Sequence, residues 1–393
     1  MKNISDDYII GISYGFHDSA VALIQNGKVL NAVEEERFTG IKHDFSFPIN
    51  SINWILKQNN ISSKDISTVC YYENPKLKHD RDWKSYWKYF WKNPFKFPKR
   101  LNHHDELEQI FPLAKVIYNN HHLSHLSYSY FTSDFDESAI LSVDGVGEWD
   151  TTVLASGKDN IIKRHSEVVY PHSLGLLYST ITAFLGFKPN EGEYKVMGLA
   201  PYGTHLFHHK KFDKLIKETE DGFELNMDYF AYHYSDKIMF NQKLSKLLGV
   251  PNRLPEEPIN DIHKNISAAL QYTYEKHFFR LLNKLHEKTK SDNLCLSGGC
   301  AYNGTANGKI QSKTPFKNIW IPPAPSDAGS AIGAALNYWN HITNDRKENK
   351  TPFLGPSEKL LDIVKIVKDN EDKIFYEALS DEELFPKVAK LIS

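Results

Sequence analysis

Two stretches of this chain repeat one order of elements, and that repetition limits its fold more than any other feature. Residues 8–13 (YIIGIS) form a short apolar run of the kind that makes a buried strand. AVALIQNGKVLNAVEEE follows as two strands around Asn26-Gly27, a strong hairpin signal because both residues tolerate positive φ. Pro48 opens a helix with Ile49, Ile52, Ile55 and Leu56 on one face. Strands are expected at 67–73 and 115–120, then a helix over 121–131. From residue 139 the order restarts. AILSVDG, DTTVLASG and IIKRHSEVVY read as a second meander, followed by a helix near 174–185 and a long amphipathic helix near 262–290. Strand NLCLS, a helix from about 303, strand NIWIPP and a helix at 326–340 complete it. Two such halves predict a duplicated α/β domain with lobes at 1–135 and 136–342 and a central cleft. Ligands of such sheets bind at strand C-termini.

Two segments stand outside this scheme. Residues 74–112 contain WKSYWKYFWKNPFKFPKR, in which Trp83, Trp87 and Trp91 recur every four residues with Lys84, Lys88 and Lys92 one step on. One reading is a helix packing its aromatic stripe on the body while the lysines reach solvent. The other is an acceptor-binding or membrane-surface element, including contact with a glycan or glycolipid. Residues 204–260 form a second insertion, rich in His, Lys and Phe. From 343 the chain turns polar, as linkers do, and Ser380 with Glu383 forms a capping box for a last helix.

The bulk composition excludes several classes. A net charge of −2 gives no basic field for nucleic acid. Three cysteines, Cys70, Cys295 and Cys300, are too few for a disulfide framework and match no usual zinc spacing. MKNISDDYIIGI has no apolar leader core, and no run approaches the roughly 20 apolar residues that span a bilayer. A cytoplasmic protein with reduced thiols is expected.

The chemistry concentrates in five motifs. In HHLSH, His121 and His125 are four apart, so on a helix both rings share one face and can share a metal, while His122 points away. In SVDGVGEWD, Asp144 ends an apolar strand before Gly145 and Gly147. This is either a plain turn or a carboxylate with exposed amides for a phosphate and its metal. In LSGGCAYNGTANG a strand runs into Gly298-Gly299 and a helix opens near Asn303. This is either a tight connection or a close backbone approach to an anion. It is neither GxGxxG nor a P-loop. Asp327 in PAPSDAGSAIG either caps a helix or ligates a metal, and Gly329, Ala331, Gly333 and Ala334 let that helix pack closely on a neighbour. His17, beside Asp18 in the loop after the first strand, is a candidate general base, since imidazole titrates near 6.5.

Jointly, GISYGFHDSAVAL, AVEEERFTGIKHDFSFP, HHLSH, DGVGEW, EGEYKVMGLAPYG, SGGCAYNGTANG and PAPSDAGSAIG resemble the O-carbamoyltransferases of the nodulation (NodU) and antibiotic-tailoring type, in unbroken order over 8–340. The resemblance implies an actin-, Hsp70- and sugar-kinase-like fold. It also implies a reaction in which carbamoyl phosphate and ATP give carbamoyl-adenylate, whose carbamoyl group moves to a hydroxyl of a sugar or natural product. Carried over by position, His121, His125, Asp144 and Asp327 are the metal ligands, for Fe(II) first, with zinc or manganese as alternatives, and magnesium accompanies the nucleotide. His17 is the base, and Lys42 and His43 lie near the donor. Gly145, Gly147, Gly192, Lys195, Gly298, Gly299 and Asn303 are nucleotide contacts. The family's second, YrdC-like domain makes the adenylate. Its FGPRALG-type motif is absent here, and 343–393 resembles a linker and the start of that domain, so the domain is expected in the full-length protein or in trans. The rivals are tRNA threonylcarbamoyl transfer on the same fold, a sugar kinase, and a nucleotide-binding module without catalysis. Near-neutral charge weighs against the first, and the histidine pair against the second.

Overall fold

A computed structural model describes residues 7–94, 103–347, 349, 351–357 and 360–393. Residues 95–102 of the first insertion lie outside the described residues. The chain divides into two units, Met1–Leu354 and Gly355–Ser393.

The first unit is built on two five-stranded sheets. One consists of β1 (Tyr8–Ser13), β2 (Ala20–Gln25), β3 (Lys28–Glu34), β4 (Ile66–Tyr71) and β5 (Lys115–Tyr118), in the order β3-β2-β1-β4-β5. After β6 (Glu137–Val143), β7 (Asp150–Lys158) and β8 (Ile161–Val169), the small hairpin of β9 (Ile216–Glu218) and β10 (Phe223–Leu225) forms a separate ribbon. β11 (Asn293–Ser297) and β12 (Asn318–Trp320) complete the second large sheet, in the order β12-β11-β6-β7-β8. Each large sheet starts as an antiparallel meander and then adds two parallel strands beside its first strand. The two sheets therefore share one topology, the duplicated α/β plan of the actin-like fold. The Asn26-Gly27 turn joins β2 to β3, with both residues at positive φ (50° and 72°).

Each half continues from its last parallel strand into a helix. β5 leads to the helix His121–Phe131, and β12 leads to the helix Asp327–Thr343. The first of these packs against β6 and β11, the second against β1 and β2, and the two helices pack on each other. They share one core with the first sheet and with Ile140, Val153 and Cys295 of the second. Small residues permit this approach. A Cβ on Gly333 would lie 1.9 Å from the Ser124 carbonyl oxygen, and one on Gly11 of β1 would lie 1.9 Å from that of Ala331. A second core joins the far face of the second sheet to the helices Leu174–Phe184 and Asp261–Thr289.

Three expectations change. The helix expected from 303 is broken into short turns at Gly299–Tyr302, Gly304–Asn307 and Ile310–Lys313, with Gly308 between the last two. The compact unit runs to Leu354 rather than ending at 342, because the Leu354 carbonyl accepts from Ala32 and Asn349 receives the Val29 N–H. The aromatic stripe of the first insertion does not pack on the body. In the helix Pro75–Tyr89 the buried residues are Arg81 and Tyr86, whereas Trp87 is 64% exposed and Trp91, just beyond, is 91% exposed. Tyr86 faces inward, so Trp87, turned about 100° further, faces solvent.

The second unit holds the helices Leu360–Lys368 and Asp381–Ile392, the latter started by the Ser380–Glu383 capping box.

Candidate metal centre and its cleft

His121 and His125 occupy successive turns of a helix whose N-cap is Asn120. Their Nε2 atoms are 3.1 Å apart. His121 Nε2 is 3.1 Å from Asp144 Oδ2 and 3.6 Å from Asp327 Oδ1, and His125 Nε2 is 3.4 Å from Asp327 Oδ1. One donor atom from each of the four residues lies within 4.8 Å of the others, and all four are buried. Two imidazole nitrogens that face each other and two carboxylates are arranged as ligands are around a cation. Both Asp327 oxygens are buried without a hydrogen-bond partner, a costly state for a carboxylate unless something positive meets it. The four residues fit a divalent metal with mixed nitrogen and oxygen ligation.

Burial opposes every charge in this cluster, and pairing outweighs it. Asp144 is held well below the usual carboxylate range by His121 and His125, and Asp327 is lowered by His17, His121 and His125. His125 is raised to about 9 by Asp144 and Asp327. His122 turns away, to Ser142 Oγ (2.9 Å) and the Asp150 carbonyl (3.0 Å), and burial drives it well below its ordinary value.

A surrounding layer fixes the ligands. Ser330 Oγ lies 2.9 Å from His125 Nδ1, which leaves Nε2 turned to the cluster. The buried Glu148 carboxylate accepts the backbone N–H of His121 and of Asn74 and the Asn120 side-chain amide, locking the start of the histidine helix. Neither residue was singled out in the sequence, although signals were present. Ser330 is three positions after Asp327, on the same helix face, and Glu148 closes the DGVGE run.

His17 sits at the edge of this cluster. Its Nδ1 is 3.0 Å from Asp18 Oδ2, and its Nε2 is 3.7 Å from Asp327 Oδ2. Burial would lower its pKa, but Asp327, Asp18 and Asp144 outweigh that and raise it to about 9. The other Asp18 oxygen holds His43 Nδ1 at 2.5 Å.

A cleft of about 480 Å³ opens beside the cluster, within the size range of small-ligand sites. Of the residues expected from the sequence, His17, Lys42, His43, Asp144, Gly145, Gly299 and Asn303 line it. Leu176, Tyr178, Met197 and Tyr274 give it an apolar wall, and Glu193 and Tyr194 complete it. The Gly299 N–H donates to Asp144 Oδ1 at 2.8 Å. Asn303 pairs its amide with Gln271 and caps the next turn. The other four expected nucleotide contacts, Gly147, Gly192, Lys195 and Gly298, are not among the residues lining the cleft. Gly147 lies behind His121, with space only for a hydrogen where a Cβ would meet that ring at 2.9 Å. Gly298, at φ 86°, crosses β6 so closely that a Cβ would be 2.3 Å from the Val143 carbonyl oxygen. Gly192 is wedged against Phe187 and Lys188, and Lys195 is exposed, its ammonium over the Tyr194 ring.

Comparison with known proteins identifies the family of the chain. The family model described as Carbamoyltransferase N-terminus matches residues 8–336. The uncharacterized protein sll1178 of Synechocystis is 40% identical over 98% of this chain and 66% of its own length. Nodulation protein NolNO of Sinorhizobium fredii is 33% identical over 86% of this chain and 49% of its own length. The chain thus spans two thirds or less of these relatives. Among solved structures, (R)-2-hydroxyglutaryl-CoA dehydratase component A of Acidaminococcus fermentans is similar over 84% of this chain and 97% of its own, with a TM-score of 0.45 and 14% identity.

Proposed function

Because this chain belongs to the family of carbamoyltransferase N-terminal domains, we propose that it is the transfer half of an O-carbamoyltransferase. It binds carbamoyl-adenylate in the cleft and passes the carbamoyl group to a hydroxyl of a sugar or natural-product acceptor. The observation that carries this reading is His17 placed between a nucleotide-sized cleft and a buried cluster of four metal-ligand side chains.

The residues divide the work. His17 Nδ1–H donates to Asp18, so Nε2 is the basic nitrogen. As the acceptor oxygen bonds to the carbamoyl carbon, Nε2 takes the hydroxyl proton. The bond from that carbon to the phosphate oxygen breaks, and AMP leaves. His43 holds the other oxygen of Asp18 and fixes the pair. Lys42, its ammonium 5.6 Å from the Tyr194 ring centre at the cleft wall, supplies a cation for the phosphate. The amides around Gly145 and Gly299 allow close approach, and Tyr178, Met197 and Tyr274 offer an apolar seat for the base. His121, His125, Asp144 and Asp327 would hold a divalent ion, Fe(II) in our reading, which would supply Lewis-acid polarisation of the donor and would offset the charge of Asp144 and Asp327 beside His17. Magnesium travels with the nucleotide.

Synthesis of the adenylate from carbamoyl phosphate and ATP we assign to a YrdC-like domain, in a longer form of the protein or in trans. The three cysteines carry free thiols, as a reducing cytoplasm keeps them. Among the described residues no helix is long and apolar enough to cross a membrane.

The test is pyrophosphate release from ATP plus carbamoyl phosphate, by this chain alone and with a YrdC-like domain added. Release only with the added domain, followed by acceptor-dependent AMP formation that His17→Asn abolishes, is the expected result. Release by the chain alone would overturn the division of labour. AMP formation unchanged in His17→Asn would overturn the assigned base.

A further inference from the structure

The first insertion ends in a surface that the transfer reaction does not use. Residues 83–94 hold six aromatic residues, three basic residues and no acidic one. Such a run is usually either folded inward or paired. Here Trp87 and Trp91 are 64% and 91% exposed, and Lys88 and Lys92 beside them are exposed too. The acids that precede it on the same helix are already engaged, Asp80 with Lys84 (2.9 Å) and Asp82 with Arg81 (2.9 Å).

The surface is firmly mounted. Tyr89 meets the His233 ring of the second insertion at 4.3 Å, Asn93 donates to the Tyr234 carbonyl at 3.1 Å, and the Lys92 ammonium lies 4.7 Å from the Tyr234 ring centre. Trp83 stacks on Trp87 at 6.4 Å, and Trp87 packs against Phe90 at 5.9 Å. The two segments outside the duplicated plan thus meet, and together they hold indole rings outward. At its other end the same helix is tied to the metal centre, because the Asn74 N–H donates to Glu148, which also holds His121. The helix has 15 residues, so about 22 Å separates its ends.

We propose that this aromatic and basic surface docks on a lipid bilayer bearing anionic headgroups. Indole rings favour the boundary between headgroups and acyl chains, and lysines beside them attract anionic lipid. Charge decides among the occupants. A second copy would bring the same uncompensated cations face to face, and a neutral glycan would need the rings but not the lysines.

The experiment is co-sedimentation of the full chain with vesicles of pure phosphatidylcholine and of equal parts phosphatidylcholine and phosphatidylglycerol, at low and high salt. Binding to the anionic vesicles alone, weakened by salt, is expected. Trp87→Ser with Trp91→Ser should cut that binding about tenfold or more. Lys88→Glu, a change of two charges, should also cut it about tenfold. These side chains are exposed, so circular dichroism and melting should match the parent chain. The proposal is overturned if anionic vesicles do not bind, if neutral ones bind equally, or if the double Trp variant binds as before. It is also overturned if the variant instead abolishes a dimer seen by ultracentrifugation, or if soluble oligosaccharides but not vesicles quench the exposed indoles.

Discussion

Gly147→Ala separates two roles that the DGVG motif leaves confounded. Gly147 lacks a positive φ, so alanine can adopt its backbone without strain. Its new Cβ, however, would lie 2.9 Å from His121 Cδ2 and 3.0 Å from His121 Cβ and Cγ. Ordinary contact starts near 3.4 Å, so the ring must retreat by about 0.5 Å, the tolerance within which a ligand has to be held. His121 has little freedom to comply, with its N–H on Glu148 and the Tyr72 ring at 5.3 Å. Disturbing the support of a metal-bound histidine typically costs about 10- to 100-fold in affinity, or about 1.4 to 2.7 kcal/mol. The assay is competition of Mn(II), Fe(II) or Zn(II) against a chromophoric chelator, with bound metal counted by mass spectrometry and folding checked by circular dichroism. Gly145→Ala is the control. Nothing lies within 4 Å of its added Cβ, and it lines the cleft. It should keep metal affinity and weaken nucleotide binding. Parent-like metal affinity in Gly147→Ala, or an equal loss in Gly145→Ala, would refute the reasoning.

Three further outcomes follow from the same contacts. Ser330→Ala removes the partner of His125 Nδ1 and should lower metal affinity about tenfold while the melting curve of the metal-free protein hardly moves. Gly333→Ala drives a Cβ into the Ser124 carbonyl. Forced overpacking of this kind costs about 1–3 kcal/mol, read by urea unfolding, and metal retention should fall with it because the two ligand-bearing helices are pushed apart. His277 is buried, and desolvation with Lys276 beside it pushes its pKa down to about 4 from 6.5. The unfolded chain therefore takes up this proton first. The contribution is complete above pH 6.5 and is lost as pH falls toward 4, reaching about 3 kcal/mol. His277→Phe should flatten that limb of the stability profile, and an unchanged acid limb would show that other groups set it.

Local geometry was legible in the sequence, and direction was not. The hairpin at Asn26-Gly27 and the shared face of His121 and His125 depend only on neighbours along the chain, so spacing revealed them. The Trp83–Trp87–Trp91 spacing revealed a common stripe in the same way. Whether that stripe faces the core depends on what lies beside it, and the inward face went to Arg81 and Tyr86. Gly147 shows the same limit. A glycine after a strand-ending aspartate reads as room for a ligand, whereas the room is taken by His121. Gly329, Ala331 and Gly333 announced a close packing without naming the partner, which is the histidine helix together with β1.

What joined the scattered candidates is the duplication itself. β1 and β6 are the corresponding first strands of the two sheets, and their ends lead to His17 and Asp144. β5 and β12 are the corresponding last strands, and they lead to the helices that begin at His121 and Asp327. Four of these five side chains therefore come from two pairs of equivalent positions, occupied by histidine in the first half and by aspartate in the second, and His125 joins them from the turn after His121. Neither half alone holds both kinds of ligand at these positions. A single domain of this topology could present two imidazoles or two carboxylates there, but the mixed set that suits a borderline divalent ion forms only when the two halves close on their paired helices. That closure rests on Gly11 and Gly333, where an added Cβ would lie 1.9 Å from a carbonyl oxygen of the facing element, so two small residues govern whether the four side chains can meet.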